Sequence, residues 1–136
     1  MNDKKTTSLR ILVADDDEPI LRTARIALEK AGFTVQTARD GKEAYQYLQS
    51  GETFAAAIFD ISMPHIEGRE LVRYMQSERR LMNIPVIIMT ADLKARLSSD
   101  SLSSGAVAFL PKPFTDVQLM TTLGMFVRTD AAAGAK

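Results

Sequence analysis

Asp15, Asp16 and Asp17 follow the apolar run RILVA, Asp60 follows AAAIF, and Thr90 follows VIIM. Lys112 follows VAFL after a single proline. Brought to one place, three or four carboxylates repel one another unless a cation sits among them. Oxygen ligands with no histidine or cysteine beside them favour a hard ion such as Mg²⁺, which keeps waters and shares its shell with phosphate. A carboxylate can also attack a phosphoryl group and become an acyl phosphate. That transfer needs mainly positioning and charge neutralisation. A cation, the Lys112 ammonium and the Thr90 hydroxyl are groups of the right kind to supply it. Asp60 is the better nucleophile candidate because it stands alone behind its run; the Asp15–Asp16 pair is suited to holding the cation.

These groups meet only if the runs lie side by side. The runs are 10–14, 34–37, 55–59, 86–89 and 107–110, and four of the five are nearly continuous in apolar character. Strands covered on both faces read that way. Each run is followed by helical spacing. Ile20, Ala24, Ala27, Leu28 and Ala31 form one stripe that ends at Gly32, a favourable residue just past a helix. Asp40 to Glu43 is a capping-box variant before Ala44, Tyr47 and Leu48; Leu71, Val72 and Met75 follow the third run. Thr115 to Gln118 is a fuller capping box ahead of Leu119, Met120, Leu123 and Phe126. The fourth helix, roughly 93–104, carries five serines, which compete for backbone hydrogen bonds, and is expected to be short or mobile. Five strand-then-helix units predict an α/β domain with a parallel sheet and right-handed crossovers. Ligands of such sheets bind outside the carboxyl ends of the strands, which is where the polar groups fall.

Taken singly, each residue has a plain structural use. Asp17 reads as a helix N-cap with Pro19 in the first turn. Asp15 or Asp16 alone could be a solvated loop charge, Lys112 a surface lysine and Thr90 a strand-end hydroxyl. His65, behind Pro64 in a loop, reads as uninvolved, and the seven methionines as core or contact residues. What favours the joint reading is placement, since four strand ends carry complementary chemistry.

The remaining composition narrows the field. A chain of 136 residues is one domain, here divided as a leader at 1–8, a folded unit at 9–128 and an Ala/Gly tail at 129–136. With 46% hydrophobic and 25% charged residues it is globular rather than disordered. Absence of cysteine excludes disulfides and thiolate metal sites, and a single histidine excludes any site with two imidazoles. Lys+Arg and Asp+Glu are 17 each, so no net positive field favours nucleic acid. No apolar run approaches 18 residues and no signal-peptide pattern follows the basic start, so a soluble cytoplasmic domain is expected.

The stretches ILVADDDEP, IFDISMPHIEG, PVIIMTA and GAVAFLPKPF carry a likeness to a known family. Their site positions are separated by 44 residues from Asp16 to Asp60, 30 to Thr90 and 22 more to Lys112. In motifs and spacing the chain resembles the receiver domain of two-component response regulators over about residues 9–127. The resemblance implies a doubly wound (βα)5 flavodoxin-like fold, with a parallel sheet of order 2-1-3-4-5 and helices on both faces. It implies that Asp60 is the phosphoacceptor, that Asp16 contacts Mg²⁺ directly and Asp15 through water, and that the Ser62 backbone carbonyl is the remaining protein ligand. Thr90 matches the switch hydroxyl, Phe109 the switch aromatic, and Lys112 the phosphate-binding lysine ahead of a cis peptide at Pro113. The plain alternative for Phe109 is ordinary core packing, the lesser of the two readings.

The implied donor is a phosphohistidine on a sensor histidine kinase or phosphotransfer protein. The implied readout is changed affinity of the face formed by the fourth helix, fifth strand and fifth helix for an output partner protein or fused domain. No direct nucleic-acid or membrane binding is implied, and no enzymatic turnover beyond self-phosphorylation and slow autodephosphorylation. Two details depart from or tune the pattern. Val107-Ala108 replaces the usual acidic pair, and Ser62 and Asp92 flank the water approach that sets the lifetime of the acyl phosphate. Among alternatives, an Mg²⁺-dependent phosphatase with an aspartyl nucleophile wants a second Asp where Ser62 stands. A receiver that binds partners without phosphorylation fits poorly with a full set of site residues. The seven glycines form neither G-x-G-x-x-G nor a P-loop.

Overall fold

The computed structural model describes residues 9–91 and 108–127. Elements run β1 (Arg10–Ala14), α1 (Glu18–Lys30), β2 (Thr34–Ala38), α2 (Gly41–Gln49), β3 (Ala56–Asp60), α3 (Gly68–Ser77), β4 (Val86–Thr90), β5 (Ala108–Pro111) and α4 (Asp116–Gly124). The expected leader, the expected tail and the serine-rich helix at 93–104 lie outside the described residues.

All five strands are parallel, in the order β2-β1-β3-β4-β5. The two central runs explain themselves: β3 and β4 are buried along their whole length, so both faces must be apolar. Alternate residues of each strand feed opposite faces. Leu12, Ala57, Phe59 and Ile88 join Leu48, Leu71, Val72 and Met75 of α2 and α3 in one core. Ile11, Val13, Ile58, Ile87 and Met89 join Leu21, Ala24, Leu28, Leu119 and Leu123 of α1 and α4 in the other. The sheet is therefore doubly wound, the flavodoxin-like arrangement expected. Each fully buried leucine or isoleucine contributes about 1.5–3 kcal/mol, which is what holds the strand ends in register.

Helix ends follow their local chemistry, with three differences from expectation. Thr115 Oγ1 accepts from the Gln118 N–H at 3.1 Å while the Thr115 N–H donates to Gln118 Oε1 at 2.9 Å, the complete box. At α2, Asp40 Oδ1 accepts from the Glu43 N–H at 2.9 Å, but Glu43 reaches one residue further back, to the Arg39 N–H at 2.8 Å. In α1 the innermost stripe includes Leu21, with Ile20 and Ala31 only partly buried, and Gly32 takes φ 100° just past the helix. Phe126, expected on the inner stripe of the last helix, is 40% exposed and Val127 is buried instead. The helix ends at Gly124, and the turn after it changes which side faces the core.

Candidate functional site

The ends of β1, β3, β4 and β5 lie along one edge of the sheet, and each places a polar group there. Ala14 closes the fully buried part of β1, and Asp15 follows it with no exposure at all. Asp17 starts α1 as its N-cap, accepting from the Ile20 N–H at 3.4 Å. The amide of Asp17 donates to Asp15 Oδ1 at 2.9 Å, so the cap residue also fixes the acid two residues before it. Asp60 is the last residue of β3 rather than the first after it, paired with Met89 of β4. On β4, Thr90 is likewise the final residue, and its carbonyl accepts from the Lys112 N–H at 2.9 Å. That bond closes the β4–β5 edge and delivers Lys112, whose bond to Pro113 is cis.

Lys112 Nζ lies 2.8 Å from Asp15 Oδ2 and 3.2 Å from Asp60 Oδ1. The three side chains are 14%, 0% and 10% exposed, so their charges interact through little water. Burial pushes the Asp15 carboxyl above its ordinary value of 3.8, against the hydrogen bond and charge of Lys112 and the Asp17 amide. Asp60 is also raised, first by burial and then by the negative charge of Asp15, with Lys112 and the Ser62 amide opposing. Burial pulls Lys112 down, but the hydrogen bond and charge of Asp15, together with Asp60, outweigh it and hold the lysine above 10.5.

One oxygen from each of Asp15, Asp16 and Asp60 falls within 4.8 Å of the others; Asp16 is the exposed member. Asp15 Oδ2 is buried and faces the ammonium at 2.8 Å. A single ammonium thus faces three carboxylates, two of them reluctant to ionise. Oxygen-only donors short of positive charge suit a hard divalent cation. The residues present fit Mg²⁺.

Of the positions singled out from sequence, Asp15, Asp16, Asp60 and Lys112 converge, and Thr90 and Ser62 adjoin them through the backbone contacts above. Phe109 pairs with Ile88 on the neighbouring strand and packs, partly buried, against the α2–α3 core. Thr90 is two residues beyond Ile88, so Thr90 and Phe109 share one face of the sheet. His65 is apart from the cluster, with Nε2 3.9 Å from Asp40 Oδ2. Asp92 lies outside the described residues. Two features escaped the sequence. One is the second duty of Asp17, although Asx N-caps with a polar neighbour two residues back are a local signal. The other is a cleft of about 540 Å³ lined by Asp17, Pro19, Ile20, Thr23, Ala91, Lys112, Pro113 and Phe114, which come from distant parts of the chain.

A doubly wound parallel sheet with an acid-and-lysine cluster at its carboxyl edge defines the class of molecule. The chain matches the response regulator receiver domain over residues 11–124, and it belongs to that family. The response regulator MprA of Mycobacterium ulcerans is 33% identical over 121 residues, covering 89% of this chain and 51% of the relative. The chain thus spans about half the length of the curated relatives it matches. The chemotaxis response regulator CheY4 of Vibrio cholerae superposes with a TM-score of 0.83 at 28% identity, covering 88% of this chain and 99% of that one. The signal receiver domain of a signal transduction histidine kinase from Syntrophus aciditrophicus gives a TM-score of 0.79 at 29% identity, covering 95% and 93%. Among the described residues no helix is long and apolar enough to cross a membrane.

Proposed function

We propose that this receiver domain is a phosphorylation-dependent switch in which Asp60 accepts a phosphoryl group from a phosphohistidine donor. The observation that carries this reading is the placement of Lys112 Nζ between Asp15 and Asp60, with Asp16 completing the acid cluster. An Asp60 carboxylate oxygen attacks phosphorus, the P–N bond to the donor imidazole breaks, and its electron pair returns to the imidazole. The product on Asp60 is an acyl phosphate. Lys112 neutralises one phosphoryl oxygen and the Thr90 hydroxyl donates to another. Asp15, Asp16, Asp60 and the Ser62 carbonyl would hold Mg²⁺, which supplies further neutralisation of the phosphoryl oxygens. Burial raises both carboxyl pKa values, and a bound cation would favour their ionised forms.

The donor is a sensor histidine kinase or phosphotransfer protein. The mostly apolar cleft beside Lys112, with Pro19, Ile20, Pro113 and Phe114, offers such a protein a seat at the reacting atoms. Phosphorylation adds about two negative charges at the strand ends. Thr90 responds on β4, and Phe109, on the same face one strand away, follows it. The output is a change in affinity of the face that includes β5 and the last helix for a partner protein or fused domain. The test is incubation with a small-molecule phosphodonor and Mg²⁺, read by intact mass. One phosphoryl group is expected, absent in Asp60→Asn and without the metal. Labelling that survives in Asp60→Asn removes the assignment.

A further inference from the structure

We infer that Gly68 is a positioning residue for the phosphoacceptor, fixing the Asp60 main chain by contact with it. This rests on the reading of Asp60 as the acceptor. Gly68 is the first residue of α3, and it is buried. A Cβ there would overlap the Asp60 carbonyl oxygen and lie 3.2 Å from the Asp60 carbonyl carbon and the Ile61 Cα. The obstacle is backbone on every side, with no flexible side chain to swing away. Positive φ is not the reason for glycine here, since that conformation is confined to Gly32 and Gly51 among the described glycines. The requirement is for space. Gly32, Gly51 and Gly124 have open room at the same position and Gly41 meets the Ile66 backbone, so among the described glycines the contact with Asp60 is particular to Gly68.

The surroundings show what the contact does. The Ile61 N–H donates to Met89 O at 3.0 Å on β4, and the Gly68 N–H donates to Ile61 O at 3.2 Å. Ile61, next after Asp60, is thus tied to β4 through its N–H and to the start of α3 through its carbonyl. Glu70 Oε1 accepts from the Glu67 N–H at 3.1 Å and holds the first turn of that helix in place. Ordinary carbon–oxygen contact distance can be restored only if the end of β3 or the start of α3 retreats by roughly 1 Å. Displacement of that size at a reacting group lowers rates by as much as about a hundredfold. The Asp60 carboxylate would move relative to Lys112, which is carried independently by β5.

The experiment compares wild type, Gly68→Ala and Val72→Ala under saturating Mg²⁺, with a small-molecule phosphodonor titrated and mass or fluorescence as readout. Val72 is buried on α3 and its truncation leaves a void rather than an overlap. All proteins are assayed at a temperature where circular dichroism shows them folded. Gly68→Ala is expected to lower the maximal rate by 10-fold to about 100-fold with little change in the phosphodonor concentration at half-maximal rate. Val72→Ala is expected to stay within about twofold of wild type. Glu70→Ala, an exposed and structurally mild change, is expected to slow the maximal rate about two- to threefold and serves if Gly68→Ala does not fold. A Gly68→Ala rate equal to wild type, or equal slowing in Val72→Ala, overturns the positioning role. For the milder variant, a Glu70→Ala rate equal to wild type does the same. Failure of wild type itself to take a phosphoryl group overturns the reading of Asp60, and does so in a different arm.

Discussion

Two cations among the described residues each sit between two carboxylates, and the two groups differ in burial and in distance. Lys112 lies 2.8 Å from Asp15 and 3.2 Å from Asp60, with side chains at most 14% exposed. Arg39 lies 3.8 Å from Glu18 and 3.9 Å from Glu43, and all three of those side chains are 38–67% exposed. The first trio stands at the ends of central strands and the second at the rim beside the edge strand β2. Water screens the Arg39 trio, so its attractions are small and replaceable. Around Lys112 the same charges have little solvent to turn to, so each shifts its neighbours' proton affinity and a missing partner is felt at once. Chemistry needs the second condition.

That contrast can be pushed hardest at Lys112. Lys112→Ala should slow phosphoryl acceptance by about 10²–10³-fold, the usual cost of removing one fixed charge donor from such a site. It should also lower the melting temperature, because two buried acids lose their cation; the rate is measured by intact mass and stability by calorimetry. A middling effect is expected at Asp60 without metal. The folded Asp60 pKa lies above its ordinary value of 3.8. Its contribution to stability is therefore fully present below 3.8 and lost as pH rises through the raised value. At neutral pH without Mg²⁺, Asp60→Asn should melt roughly 2–5 °C higher than wild type. The gap should close as pH falls toward 3.8, and Mg²⁺ should raise wild type more than the variant. A gap that widens on acidification would contradict the electrostatic account. The smallest effect belongs to the rim. Arg39→Ala should change stability by about 0.5 kcal/mol or less and leave phosphoryl acceptance unaltered. A loss above 1 kcal/mol would erase the distinction between the two trios.

Much of the fold was legible because β1, β3 and β4 are buried on both faces and show it as unbroken apolar runs. The bounds slip by one residue in β2, β3, β4 and β5, where pairing and not hydropathy decides the end: Asp60 and Thr90 are polar, yet they complete the ladders of β3 and β4. The convergence of Asp15, Asp16, Asp60 and Lys112 was readable because strand ends in a parallel sheet share an edge. What the pattern could not carry is tertiary distance. Nothing in IEG says that Gly68 rests on the Asp60 carbonyl, and nothing in Asp40-Gly-Lys-Glu43 says that Glu43 will reach Arg39 instead of its own cap. Phe126 misled because the 3.6-residue stripe was extended past Gly124, where the helix has already ended.

The cluster draws its members from positions 15, 16, 60 and 112, delivered by the ends of three strands, β1, β3 and β5. No fragment that omits the fifth strand contains it, and an unfolded chain holds these groups tens of residues apart. If Asp60 is the acceptor as proposed, competence to take up a phosphoryl group is therefore an all-or-none property of the native state. Protein that is half melted should label half of its molecules fully rather than all of them partly, so the label itself can count folded copies.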